Sequence, residues 1–332
     1  MSYFKTLARS FSYALAAFGV ISASEADMTL KRALNPLQGG QISPTPIDVQ
    51  KLCFESLRKI SGTFDKERLH RACQFAKVLP GCQSTLGEPI FYFEKLASSS
   101  NSAKKILTMS LIHGDETSSG TVSRSWISRL VDLDSRNSWR VIPIVNPDGF
   151  KANTRTNANK VDVNRNFPTA NWESQAIARW KRSKNSDPRR YPGPSPASEK
   201  ETQCLLKHFS DFQPDFIISV HTPLGILDFD GPKHLSFPKF SPLPWISLGN
   251  YPGSLGRYMW KDRQVPVLTI ELKGSEGISR LEEFDRLQDI SGTVAIQSDR
   301  YLRSKNRRQK PKTKKVQSEA RNQARPESVS GT

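Results

Sequence analysis

The sequence predicts an α/β fold, and three observations carry that expectation. Apolar, strand-length runs at 90–96, 106–112, 139–145, 216–220 and 265–270 alternate with stretches of helical spacing. Three of these runs end on a metal-competent side chain: His113, His221 and Glu271. The 332 residues are enough for one large domain with its own core, plus appendages. Polar groups at the C-terminal ends of neighbouring strands converge where open α/β sheets place their sites.

Taken in order, residues 1–26 read as a secretory signal. Lys5 and Arg9 give a positive start, 11–21 is apolar, and Ser24-Glu-Ala26 is a small-x-small cleavage site. The apolar run is shorter than the roughly 20 residues a membrane span needs. The expected destination is the periplasm or cell envelope. Residues 27–84 hold a Pro/Gly/Ser-rich linker at 35–46 and then a small helical cap. Val49, Leu52, Cys53 and Leu57 form one apolar stripe, and Leu69, Cys73, Phe75 and Val78 a looser one. Cys53, Cys73 and Cys82 cluster here, with Cys204 far downstream. In an oxidising compartment at least one disulfide is expected, within the N-terminal cluster, although four cysteines allow three pairings.

The catalytic domain is expected over 85–302. A helix over 117–130 follows the second strand run, and Ser198-Glu-Lys-Glu201 reads as a capping box opening a helix toward Phe209. Residues 303–332 differ in kind: ten Lys or Arg stand against two Glu, so the segment carries +8 of the net +17. With almost no apolar residues it is expected to be disordered. Its natural partners are anionic envelope polymers or a membrane surface. No nucleic acid is expected, because no recognised nucleic-acid module accompanies the charge.

The chemistry concentrates in four residues. His113-Gly-Asp-Glu116 is a short H-x-x-E, and with His221 it makes a two-His-plus-Glu set. Such a set holds a catalytic zinc and leaves a fourth position to water, whose pKa falls toward neutrality. Glu271 is then the spare carboxylate, able to take a proton from that water. An isolated H-x-x-E is common by chance.

The sequence between these residues adds the missing weight. Val145-Asn-Pro-Asp-Gly149, Thr154-Arg-Thr156 and Val161-Asp-Val-Asn-Arg-Asn-Phe-Pro168 follow the H-x-x-E in order, and Thr269-Ile-Glu-Leu272 closes the series. This order resembles the zinc carboxypeptidase family over roughly 87–301. His221-Thr-Pro-Leu-Gly-Ile-Leu-Asp-Phe-Asp-Gly-Pro232 and Pro252-Gly-Ser-Leu-Gly256 are similar to its murein peptide amidase branch. The resemblance implies a single domain with a central mixed twisted β-sheet, helices on both faces, and one zinc ion.

It also implies roles. Asn164 and Arg165 grip a substrate carboxylate, where a planar guanidinium bonds both oxygens. Arg155 stabilises the oxyanion. Asp162 holds the other ring nitrogen of the first zinc histidine. A mobile tyrosine covers the substrate; Tyr251 is preferred and Tyr258 is the other candidate. Thr222-Pro223 stands where a cis peptide is expected, at a cost of about 0.5–1 kcal/mol for an X-Pro bond. The implied activity is hydrolysis of an amide in peptidoglycan stem peptides, between γ-D-glutamate and meso-diaminopimelate. Two other readings stay open: an exported carboxypeptidase acting on ordinary peptides, and a non-catalytic envelope-binding protein of the same fold.

Overall fold

The computed structural model describes residues 48–99, 103–233, 235, 238–240, 243–274 and 281–309. The expected signal, the 35–46 linker and the tail beyond 309 lie outside the described residues. Seven strands are β1 Lys77–Gln83, β2 Pro89–Lys95, β3 Lys105–Met109, β4 Ser138–Ile142, β5 Phe216–His221, β6 Leu224–Asp230 and β7 Val267–Lys273. They form one sheet in the order β1-β2-β4-β3-β5-β7-β6. The central strands β4, β3, β5 and β7 run parallel, and the pairs at both margins are antiparallel.

The helices are α1 Val49–Leu57, α2 Lys66–Cys73, α3 Ser119–Asp132, α4 Pro147–Ala152, α5 Trp172–Ser183, α6 Lys200–Phe212 and α7 Leu281–Gln309. Central strands covered on both sides read as continuous apolar runs, and all six residues of β5 are buried. Phe216, Ile218 and Val220 pack with Leu57, Leu69, Trp126, Leu287 and Val294 from α1, α2, α3 and α7. Ile217, pointing the other way, packs with Leu205 and Phe209 of α6. Helices therefore cover both faces, and the sheet is mixed, as the sequence implied. Among the described residues no helix is long and apolar enough to cross a membrane.

The cap region departs from its expected form. The stripe through Leu69, Cys73, Phe75 and Val78 is not one helix: α2 stops at Cys73 and Phe75 is 55% exposed. Val78 belongs to β1, an edge strand, where Pro80 is tolerated because an edge N–H needs no ladder partner. A Cys53–Cys73 disulfide joins α1 to α2, and a second, Cys82–Cys204, joins β1 to α6. Arg124, buried on α3, donates to the carbonyl oxygens of Leu57, Ile60, Ser61 and Gly62 at the end of α1. Burial lowers its pKa to about 10. One cation thus ties the last carbonyl of α1 to three in the turn that follows it.

Three further expectations are corrected. The capping box does not form: α6 starts after Glu199 with no side-chain cap, and Glu201 accepts instead from the Thr85 N–H and Asn157 Nδ2. Strand β6 was not anticipated, because Gly225 and the acidic Asp228 and Asp230 dilute its β pattern. The expected boundary at 302 is passed by α7, which runs to Gln309. An i,i+4 pair between Asp299 and Arg303, 2.9 Å apart, spans that boundary and supports the helix.

Candidate active site

The site forms at the C-terminal ends of β3, β5 and β7. β3 leads through Ser110, Leu111 and Ile112 to His113, and α3 begins three residues after Glu116. Gly114 lets this turn lie on the 145–149 loop: a Cβ there would meet the Gly149 carbonyl carbon at 2.0 Å. β5 ends on His221, and the parallel register sets His221 opposite Glu271 on β7. Adjacent strands thus bring the third donor and the spare carboxylate to the same height. The Thr222-Pro223 peptide that follows is cis.

Both oxygens of Glu116 are engaged by imidazole. His113 Nδ1 lies 2.8 Å from Oε1 and His221 Nδ1 lies 2.9 Å from Oε2. The two rings are 5.0 Å apart between centroids. All three side chains are buried, and one donor atom from each lies within 4.8 Å of the others. Two imidazoles that turn the same ring nitrogen toward one carboxylate are the donor set of a catalytic zinc. The residues fit the ion.

The outward nitrogens are held as well. His113 Nε2 is 3.2 Å from Asp162 Oδ1, and His221 Nε2 is 2.9 Å from Ser219 Oγ. Asp162 is fully buried, and burial alone would raise its carboxyl; Arg155 and His113 overcome this and hold it well below the usual range. Glu116 behaves alike: burial works against its charge, and His113 and His221 keep it ionised. Glu271 goes the other way, raised first by burial and then by the charge of Glu116, with His221 opposing.

A cavity of about 560 Å³ opens over this group, lined by His113, Glu116, Arg155, Asn164, Arg165, His221, Tyr251 and Glu271 among others. Arg155 donates from Nε and one terminal nitrogen to Asp162 Oδ2, at 3.1 and 3.0 Å, while its other terminal nitrogen lies 3.4 Å from Glu116. The Asn164 side-chain oxygen accepts from the Leu255 N–H at 2.9 Å, which turns its amide nitrogen free of that bond. Tyr251 stacks against Arg165 and Arg179, at 5.0 and 4.6 Å from ring centroid to guanidinium carbon. Tyr258 is buried against Phe167 and outside the cavity lining.

Several residues of the site were not anticipated: Asp228, Asp230, Arg189 and Arg190 in the cavity lining, and Ser219 behind His221. The signal for Ser219 was available in principle. A lone hydroxyl two residues before a histidine in an apolar strand shares its face.

A family model described as zinc carboxypeptidase matches residues 71–225. Murein peptide amidase A of Escherichia coli K12 is 36% identical over 184 residues, covering 53% of this chain and 73% of that protein. The Vibrio campbellii protein of the same name is 33% identical over 202 residues, covering 57% and 77%. Among solved structures, murein-tripeptide amidase MpaA from Escherichia coli O157 aligns with a TM-score of 0.50 at 25% identity, over 70% of this chain and 97% of that one. With the donor set, the carboxylate opposite it and these relatives in agreement, the chain belongs to the zinc carboxypeptidase family and is a hydrolase.

Proposed function

We propose that this protein is an exported zinc peptidase that hydrolyses an amide of peptidoglycan stem peptides, the one between γ-D-glutamate and meso-diaminopimelate. The carrying observation is that the two-His-plus-Glu set, Glu271 and the Asn164-Arg165 pair share one cavity. Similarity to murein peptide amidases supports the substrate class. Residues 1–26 support export, and a net charge of +17 suits a carboxylate-rich substrate and an anionic envelope. The basic segment after 302 would hold the enzyme near such polymers or near phospholipid headgroups.

Held by His113, Glu116 and His221, one zinc ion would polarise the scissile carbonyl and acidify water. The chain's own residues do the rest. Asn164 and Arg165 fix a carboxylate on the leaving side, so the amide is presented in one register. Arg155, oriented by Asp162, offers guanidinium N–H groups to the oxygen that gains charge. Glu271 takes a proton from the attacking water and returns it to the departing amine. The C–N bond breaks, leaving a glutamyl carboxylate and a free amine. A carboxyl raised by burial suits both halves of that shuttle, because it holds the proton more readily than an exposed glutamate.

The test is digestion of L-Ala-γ-D-Glu-meso-diaminopimelate by zinc-loaded protein, read by mass spectrometry. Free diaminopimelate and the dipeptide are expected, and a chelator should stop their release. Intact tripeptide, with tetrapeptide and cross-linked muropeptides also untouched, would sink the proposal.

A further inference from the structure

Two arginines of the cavity have no part in the mechanism above. Arg189 and Arg190 end a short 3-10 turn, Pro188–Arg190, and both line the cavity that holds the metal ligands and Glu271. Their side chains are 61% and 40% exposed, so they stand at its mouth. The turn is anchored at three points. The Asp187 side chain accepts from the Arg189 N–H at 2.9 Å, the Asp187 carbonyl from Trp180 Nε1 at 2.7 Å, and the Tyr191 carbonyl from the Asp162 N–H at 2.8 Å. The last bond ties the turn to the segment that carries Asp162, Asn164 and Arg165.

Asp115 fixes the other side. It lines the cavity one residue before Glu116, and its Oδ2 accepts from a terminal nitrogen of Arg189 at 2.7 Å. The Arg189 guanidinium is therefore held within a side chain's reach of the turn that bears two metal ligands. Arg190 Nε lies 3.4 Å from Asp187 Oδ2. A guanidinium carries five N–H donors, and each of these contacts engages one nitrogen, so donors remain for a ligand. Further in, the pKa of Arg165 is pushed down by burial, with Asp162 opposing, and by the charges of Arg155 and Arg190. Cations crowd this part of the cavity. One substrate carboxylate is matched by Asn164 and Arg165; a second, near the mouth, would match Arg189 and Arg190.

We propose that Arg189 and Arg190 bind the free α-carboxylate of a γ-linked residue on the acyl side of the scissile amide, and so select γ-linked over ordinary α-linked peptides. This rests on the reading that Asn164 and Arg165 hold the leaving residue's carboxylate. With that end fixed inside, the acyl side runs outward, because the rest of a stem peptide must pass through the mouth. In a γ-linked glutamyl residue only two methylenes and the α-carbon separate the scissile carbonyl from the α-carboxylate. In an α-linked residue that carboxyl is itself consumed in the bond. Two planar guanidiniums on a braced turn suit a carboxylate, which each can bond through two N–H groups.

The experiment uses zinc-loaded protein and two substrates that differ in one charge: L-Ala-γ-D-Glu-meso-diaminopimelate and its α-amide, L-Ala-γ-D-isoglutaminyl-meso-diaminopimelate. The wild type should favour the acid in kcat/KM by about 10–100-fold, the range expected when hydrogen bonds to a charged group are lost. R189A and R190A should each compress that ratio by at least about threefold, and the double variant should bring it close to one, mainly through KM. Lys181→Ala, which removes an exposed cation outside the cavity lining, should keep the wild-type ratio. Circular dichroism confirms that each variant is folded. Equal rates on acid and amide in the wild type, an unchanged ratio in the double variant, or the same compression in Lys181→Ala would overturn the proposal.

Titration calorimetry with the dipeptides L-Ala-γ-D-Glu and L-Ala-γ-D-isoglutamine reads binding without turnover. The acid should bind more tightly, and the double variant should remove the difference; equal affinity in the wild type would overturn the proposal as well. The two readings also fail separately. Neither tripeptide cleaved, with tighter binding of the dipeptide acid that is lost in the double variant, would remove stem-peptide hydrolysis and keep the carboxylate site. Cleavage of both tripeptides at one rate would do the reverse.

Discussion

Both oxygens of Glu116 face an imidazole, and each imidazole is backed by a second polar group. That arrangement makes Asp162 a positioning residue for His113 and ranks it above Ser219, which offers only a neutral hydroxyl to His221. Asp162→Asn should weaken metal binding about 10–100-fold, read by competition with a chromophoric chelator; unchanged affinity would refute the role. Asp230 allows a test of stability. Its carboxyl is raised to about 6, above the unfolded value near 4, so folding favours the protonated form and the ionised form is a penalty. The penalty is absent below pH ~4, grows as pH rises through 6, and is complete above it. Asp230→Asn should therefore stabilise the protein by about 1–3 kcal/mol at pH 7.5, the gain vanishing toward pH 4 in thermal melts. At this scale, His113, Glu116, His221 and Glu271 were readable because metal-competent side chains after apolar runs are rare combinations. Asp228 and Asp230 were not, because their meaning depends on which strands are neighbours.

Elements were legible where burial on both faces wrote long apolar runs. The five expected strands all appear as β2, β3, β4, β5 and β7, with ends shifted by a few residues. The edge strands β1 and β6 were missed for one physical reason: a margin strand buries less, so it tolerates Pro80, Gly225 and paired acids that break the pattern. The capping box at 198–201 misled because Glu201 finds stronger partners in Thr85 and Asn157 than in its own helix terminus. Arg124 is the element-scale test of the cap. Truncating it to Ala removes the side-chain donor from the carbonyls of Ser61 and Gly62 and should cost about 2–4 kcal/mol in denaturant unfolding. A loss below about 0.5 kcal/mol would mean that water replaces it freely. The Cys82–Cys204 bridge, 122 residues apart in sequence, closes a loop whose entropy is worth roughly 4–5 kcal/mol. A reductant should lower Tm, and an unchanged Tm would show that the bridge does not constrain the unfolded chain.

At the scale of the molecule, the sheet order explains why residues from 113 to 271 meet. β3, β5 and β7 are adjacent and parallel, so the ends that carry His113, His221 and Glu271 lie side by side on one rim. Sequence order alone implied convergence only if those strands were neighbours, and the structure supplies that condition. The flanking β6 and its loop then close one wall of the cavity, which spacing could not foretell. The most direct measurement compares wild type and Glu271→Gln on the tripeptide, with zinc content determined on the same samples. Both proteins should carry about one zinc per chain, as three protein ligands imply, while Glu271→Gln loses at least about a hundredfold in kcat, the usual contribution of a positioned proton carrier. Equal rates from the two proteins, or zinc-loaded wild type that releases no diaminopimelate, would contradict the assignment.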